Sequence, residues 1–134
     1  MILAALALAL AAQQYEGFPL SNSRFDAMLS TAYERCERSG AAMNTYGARS
    51  CIWDEQRRFQ TRVGGSYRAA LARLPAGGSR TRLVNLQRRW QATHRIACRR
   101  RFQDVDGTMS LISEDMCALR ELARRLAWLD RYGR

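Results

Sequence analysis

Apolar residues in this sequence recur every three or four positions, and this period decides what the chain can fold into. The clearest stretch carries Phe59, Val63, Tyr67, Ala70 and Leu74, a spacing that places these side chains on one face of an α-helix. The sequence has no alternating apolar and polar run long enough for a strand, and it has no internal repeat. The pattern therefore predicts an all-α fold.

The same period predicts three main helices preceded by a short N-terminal one. A glycine pair, Gly64-Gly65, interrupts the second helix and predicts either a kink or a closely packed neighbour there. Residues 40–50 show no clear period and are interpreted as an irregular connector, with a partly helical one as the alternative. Because the other connections are short, consecutive helices should be antiparallel neighbours in a small up-down bundle. The predicted helices follow the capping candidates at 21–23 up to about residue 36, then span about 51–74 after Ser50, about 80–103 after Ser79, and from Ser113 to near Tyr132.

Four cysteines, Cys36, Cys51, Cys98 and Cys117, are an even number in a short chain, which favours two disulfides in an exported protein. In the predicted bundle all four lie near one end. We favour Cys36 with Cys51 and Cys98 with Cys117, two loops of under twenty residues that each contribute about 3 kcal/mol. Pairing of Cys51 with Cys98 or Cys117 stays open. With no Cys-x-x-Cys spacing and a single histidine, no metal site is expected.

Residues 1–12 form an apolar run that is too short to span a membrane and resembles the core of a signal peptide, although a positively charged leading segment is missing. A buried N-terminal helix is the alternative interpretation. With 134 residues, one hydrophobic core is the usual outcome. We therefore expect a signal peptide over 1–12 and a single domain over 13–134, soluble in the periplasm or secreted.

All 22 basic residues are arginine, and the formal net charge is +10. Eight of these arginines lie between residues 79 and 103, a segment without a carboxylate. Arginine binds carboxylates and phosphates through a planar fork, so an anionic polymer or a membrane surface is a candidate partner. The alternatives are a codon bias toward arginine, or a solvated face neutralised by acidic residues of neighbouring helices. The candidate polyanion-binding residues are Arg88, Arg95, Arg99, Arg100 and Arg101.

The segment from Leu86 to Cys98, with Gln87, Trp90 and Arg95 between them, resembles a helix of the lysozyme inhibitor LprI-like family. The resemblance covers roughly residues 33–130 and includes the four cysteines and Arg125. It implies a helical, exported domain that inhibits lysozyme and uses no cofactor. A lipoprotein anchor would need a cysteine directly after the apolar leader, and the sequence has none before Cys36.

The residue types that commonly carry catalysis have ordinary structural interpretations here. Trp90 is expected to fill the core while the Arg95 guanidinium reaches a carboxylate or a helix end. His94 has no nucleophile in a useful sequence context, and Asp104 and Asp106 are typical of a turn. We therefore expect no enzyme, no cofactor and no small-molecule substrate.

Net charge bears on the expected partner, because typical animal lysozymes are basic and would be repelled by a chain of charge +10. An acidic patch could compensate for this repulsion. The main hypothesis is a non-catalytic binding module that occludes a lysozyme or another envelope protein; the alternative is a basic envelope protein that binds anionic glycan, lipid or nucleic acid through the third helix. The candidate acidic patch comprises Asp104, Asp106, Glu114 and Asp115.

Overall fold

Five α-helices make up residues 18–134, the part of the chain that the computed structural model describes. This confirms the all-α prediction. The predicted leader over 1–12 lies outside the described residues, and none of the described helices is long and apolar enough to cross a membrane. The helices are α1 (Asn22–Met28), α2 (Thr31–Arg38), α3 (Thr45–Arg73), α4 (Gly78–Phe102) and α5 (Met109–Arg131), with a turn of 3₁₀ helix at Gly40–Met43 before α3.

The predicted short N-terminal helix is two helices, because the chain breaks at Ser30. Leu29 and Ser30 have extended backbones, and the Ser30 hydroxyl accepts a hydrogen bond from the Tyr33 N–H at 3.0 Å, which caps α2. Ser30 also donates from its N–H (2.8 Å) and its hydroxyl (2.7 Å) to the buried carboxylate of Glu55 on α3. A tertiary contact thus holds the break, which the helical period could not indicate.

Helix α3 begins at Thr45, six residues before the predicted start. Its cap is Asn44, whose side-chain oxygen accepts from the Gly47 N–H at 2.8 Å, so Ser50 lies inside the helix. The helix continues through Gly64-Gly65. A Cβ at Gly64 would meet only a flexible arginine end at 3.5 Å and one at Gly65 would meet nothing, so the prediction of a closely packed neighbour is wrong.

The other helix starts also differ from the prediction. Gly77, rather than Ser79, is the residue before α4, and its φ of 109° is one that glycine adopts without strain. Helix α5 starts at Met109 after Thr108, so Ser113 lies within its first turns. Helices α4 and α5 therefore both start earlier in the sequence than predicted. Neither start has a side-chain cap.

Helix α5 is the centre of the bundle. Its buried leucines, Leu119, Leu122, Leu126 and Leu129, pack against both α3 and α4. Helix α4 runs antiparallel to its neighbours, which confirms the up-down bundle, and α5 runs parallel to α3. Because α3 and α4 scarcely touch each other, a cleft remains between them with α5 as its floor.

Candidate functional site

Both disulfides lie at the same end of the bundle. Cys36 is bonded to Cys51 and Cys98 to Cys117, each with a Cα–Cα distance of 5.7 Å, so the favoured pairing is confirmed. The first joins α2 to the start of α3, and the second joins the end of α4 to the start of α5. We call residues 31–57 and 95–117 the disulfide end, and the rest of the described chain the far end.

The disulfide end exposes large apolar side chains, which the far end buries. Met43 is 88% exposed, Tyr46 is 73% exposed and Met109 is 66% exposed. Every large apolar residue that residues 18–134 expose belongs to this end. A local concentration of exposed apolar side chains is typical of surfaces that bind a partner. The complete set of exposed large apolar residues is Met43, Tyr46, Ile96, Val105, Met109 and Leu111.

A network of side chains on α3 and α5 holds two aromatic rings of this surface. The Arg49 guanidinium lies 4.7 Å from the centroid of the Trp53 ring, and its Nε donates to Asp115 Oδ2 at 2.7 Å. Tyr46 meets the Trp53 ring edge-on, with centroids 6.2 Å apart. Gln56 Nε2 donates to the Asp115 backbone carbonyl at 2.9 Å. The hydrogen bond to Asp115 raises the pKa of Arg49, so the guanidinium of this pair stays charged at neutral pH.

The cleft between α3 and α4 opens onto the disulfide end. Its upper part is a shallow cavity of about 280 Å³ whose lining includes Trp53, Arg57, Arg95 and Arg99. The Nε atom of Arg99 lies 3.7 Å from Glu114 Oε1, which offsets part of the positive charge. A second cavity of about 350 Å³ follows toward the far end. The cleft offers an arginine-rich rim rather than an enclosed pocket.

Three of the four residues predicted from the family resemblance, Gln87, Trp90 and Arg125, meet in the core. Arg125 is 2% exposed, and its Nε donates to Gln87 Oε1 at 2.8 Å. Its guanidinium carbon lies 5.3 Å from the Trp90 ring centroid and 4.1 Å from that of Trp128. This cation–π stack joins α4 to α5, so these residues hold the bundle together and are not on the surface.

Arg95 does not join that stack. The residue is exposed and lines the upper cavity. That its guanidinium reaches a carboxylate or a helix end stays a prediction. Residue 95 follows Trp90 by five positions, which rotates it about 140° around the helix axis. His94, four positions after Trp90, stays on the same face and stacks on the indole with ring centroids 4.1 Å apart. Burial lowers the pKa of His94, so the imidazole is neutral at pH 7.

The four predicted acidic residues do not form one accessible patch. Asp104 and Asp106 are exposed in the loop between α4 and α5, and Glu114 is partly exposed. Asp115 is buried and bonded to Arg49. Its position follows from the helical period, because residue 115 lies four positions before the buried Leu119. Only three of the four carboxylates can face a partner.

The five predicted arginines of α4 are all exposed. Helix α4 lies at the edge of the bundle and buries only one narrow face, so its polar residues face solvent. The Nη1 atom of Arg101 lies 3.8 Å from the Cys117 sulfur. Within residues 18–134 there is no group of three or more histidine, cysteine or acidic side chains that could hold a metal ion.

Sequence reasoning missed Tyr46, Trp53 and Met43 as surface residues of the disulfide end. The signal was present in the connector over 40–50, where Met43 and Tyr46 are large apolar residues among small and polar ones. Because the predicted helix began only near residue 51, the sequence did not show which side of the bundle these side chains would lie on.

Comparison with known proteins identifies the family of this chain. A model of the family described as lysozyme inhibitor LprI matches residues 36–129. No curated protein and no solved structure matches the chain. The matched range runs from the first cysteine of the Cys36–Cys51 bridge through most of α5, and so includes both disulfides, the cleft and the Gln87–Trp90–Arg125 stack. The chain belongs to the lysozyme inhibitor LprI family.

Proposed function

We propose that this protein is an exported, non-catalytic binding module that inhibits a lysozyme by occluding its surface. The observation that carries the proposal is the family match over residues 36–129. We further propose that residues 1–12 are a signal peptide and that residues 13–134 form one domain in the periplasm or outside the cell. Two disulfides support this location, because disulfides form and persist in oxidising compartments.

The fold supports occlusion. An inhibitor that blocks a surface gains affinity when its own surface is ordered before binding, because less conformational entropy is lost in the complex. One disulfide ties α2 to α3 and the other ties α4 to α5 at the same end. The Arg49–Asp115 pair links α3 to α5 and lies against the Trp53 ring. The exposed residues of this end are therefore preorganised.

The experiment is a titration of lysozyme activity on cell-wall substrate with the oxidised protein, residues 13–134. A basic and an acidic lysozyme are each measured at low and at physiological salt. We expect stoichiometric inhibition of at least one enzyme that persists at physiological salt. The matched control is the same chain with all four cysteines reduced and alkylated, which should inhibit weakly. Absence of inhibition of both enzymes by the oxidised protein would contradict the proposal.

A second candidate function is the binding of an anionic glycan, lipid or nucleic acid through α4. The observation that favours it is the exposure of Arg88, Arg95, Arg99, Arg100 and Arg101 on a helix without a carboxylate. Contacts with such a polyanion release counterions, so its affinity should fall steeply with rising salt, whereas an apolar interface responds mildly. Measuring the affinity for a polyanion at several salt concentrations separates the two functions.

A further inference from the structure

The charge of this protein is divided between the two ends of the bundle. The disulfide end, residues 31–57 and 95–117, contains eight arginines and eight carboxylates, a formal net charge of zero. The far end contains fourteen arginines and only three carboxylates among the described residues. The net positive charge of the chain therefore belongs to the far end, which the total of +10 does not reveal.

We propose that the disulfide end is the surface on which a basic lysozyme docks, with the ring of Tyr46 near its centre. This inference rests on the proposed function and names the contact surface for it. Two of the eight carboxylates of this end, Glu55 and Asp115, are buried, but a basic partner still meets less repulsion here than at the far end, which has fourteen arginines and three described carboxylates. The exposed carboxylates Asp104 and Asp106 add local attraction there, although the patch is smaller than the sequence indicated.

Distance separates this surface from the basic far end. Arg82 on α4 lies fourteen residues before Ile96, which corresponds to about 20 Å along the helix. The Debye length at physiological salt is about 8 Å, so repulsion from the far end is largely screened there but acts at low salt. The net charge of the chain therefore slows association with a basic lysozyme at low salt but does not prevent the complex from forming.

The composition of the disulfide end is that of a protein interface. Tyrosine, tryptophan, methionine and arginine are enriched at interfaces and at their energetically dominant positions. Met43, Tyr46 and Met109 are the most exposed large apolar residues described. Tyr46 is also held edge-on against Trp53, so little rotamer freedom is lost when a partner covers it.

An ion pair links the two helices that carry Tyr46 and Leu111. Arg49 on α3 is bonded to Asp115 on α5. Tyr46 lies about one turn before Arg49, and Leu111 lies one turn before Asp115, so both lie about one turn beyond this ion pair toward the helix starts. The docking surface that we propose includes both residues.

The described chain begins away from this patch. The Phe18 backbone carbonyl accepts from Arg124 Nη2 at 3.4 Å, and its ring lies under the Arg131 guanidinium at 5.6 Å. Both arginines belong to the second half of α5. Attachment to a sensor surface through the N-terminus therefore leaves the disulfide end accessible for a binding experiment.

The test compares two double variants of the oxidised protein, residues 13–134, as inhibitors of a basic lysozyme. Tyr46→Ala with Leu111→Ala removes exposed apolar area at the disulfide end and should weaken inhibition by about 30-fold or more, the loss typical of a hot-spot residue. Arg82→Glu with Arg89→Glu changes only the far end. It should leave the inhibition constant at physiological salt within about threefold and accelerate association at low salt.

The outcomes distinguish the two levels of the proposal. Inhibition by the unaltered protein that the Tyr46/Leu111 variant retains would overturn the docking surface alone. A large loss in the Arg82/Arg89 variant at physiological salt would place the contact at the far end and also overturn it. Absence of inhibition by the unaltered protein would refute the proposed function itself. Far-ultraviolet circular dichroism checks that each variant is folded, and Met43→Ala with Met109→Ala provides an independent test of the same surface.

Discussion

Replacing Glu55 by glutamine tests the contact that separates α1 from α2. The Glu55 carboxylate is fully buried and accepts from the Ser30 N–H at 2.8 Å, the Ser30 hydroxyl at 2.7 Å and Arg58 Nε at 2.6 Å. Burial by itself raises the pKa of Glu55, but the hydrogen bonds from Ser30 and Arg58 together outweigh it, so the pKa lies below its ordinary value. The folded protein therefore favours the ionised carboxylate.

The size of the effect follows from the donors that glutamine cannot satisfy. The amide oxygen of glutamine can still accept one hydrogen bond from Ser30. The amide NH₂ would then face the donors that bond to the other carboxylate oxygen, the Ser30 hydroxyl and Arg58 Nε. A buried hydrogen bond to a charged group contributes about 1.5–3 kcal/mol, and leaving its partner unpaired adds to the loss. Arg58 is 39% exposed, so solvent screens its share. We expect Glu55→Gln to lower the free energy of unfolding by about 2–4 kcal/mol.

The assay is urea denaturation of the oxidised protein followed by circular dichroism, with Asp54→Asn as the matched control. Asp54 forms an exposed pair with Arg57, which contributes about 0–1 kcal/mol. Because the folded pKa of Glu55 is depressed, its stabilisation is complete above its ordinary pKa of 4.5 and is lost as the pH falls through the folded pKa. The difference between Glu55→Gln and the unaltered protein should shrink correspondingly in acid. A loss no larger than that of Asp54→Asn, or a difference that does not change with pH, would refute this reasoning.

Three further predictions concern other parts of the bundle. Replacing Cys98 and Cys117 by alanine should lower the free energy of unfolding by about 3 kcal/mol in urea denaturation, and an unchanged midpoint would contradict it. Since burial lowers the pKa of His94, the folded protein loses stability as the pH falls below about 6.5; His94→Phe should reduce this loss between pH 8 and pH 5, and equal pH slopes would exclude the mechanism. Arg73→Ala removes donors to the Tyr132 carbonyl at the end of α5 and should lower the thermal midpoint by a few degrees, with earlier hydrogen exchange of the last turn of α5.

The helical period was a reliable guide where packing follows local spacing. It predicted the main helices and the burial of Trp90 on α4. Within a helix, the angle between two side chains around the axis depends only on how many residues separate them. It failed at helix ends. Ser30 begins a new helix because Glu55, twenty-five residues later, bonds to it, and no local pattern contains that contact.

The candidate site was predictable only in part for the same reason. The cysteines predicted the disulfide end, and the run over Gln87 to Cys98 predicted the family. Sequence spacing did not show that Asp115 is paired with Arg49. This pairing depends on which face of α5 meets α3.

The sequence by itself determined the fold class, the disulfide-rich character, the basic charge and the family resemblance, because each is carried by residue types and their local spacing. Only the tertiary structure decided how the charge is divided. Parallel packing of α5 against α3, with α4 antiparallel to both, brings residues 95–117 beside residues 31–57, which together contain eight carboxylates and eight arginines. It leaves the other arginines at the far end and collects the exposed apolar side chains at the disulfide end, since long-range helix packing sets which distant residues share a surface.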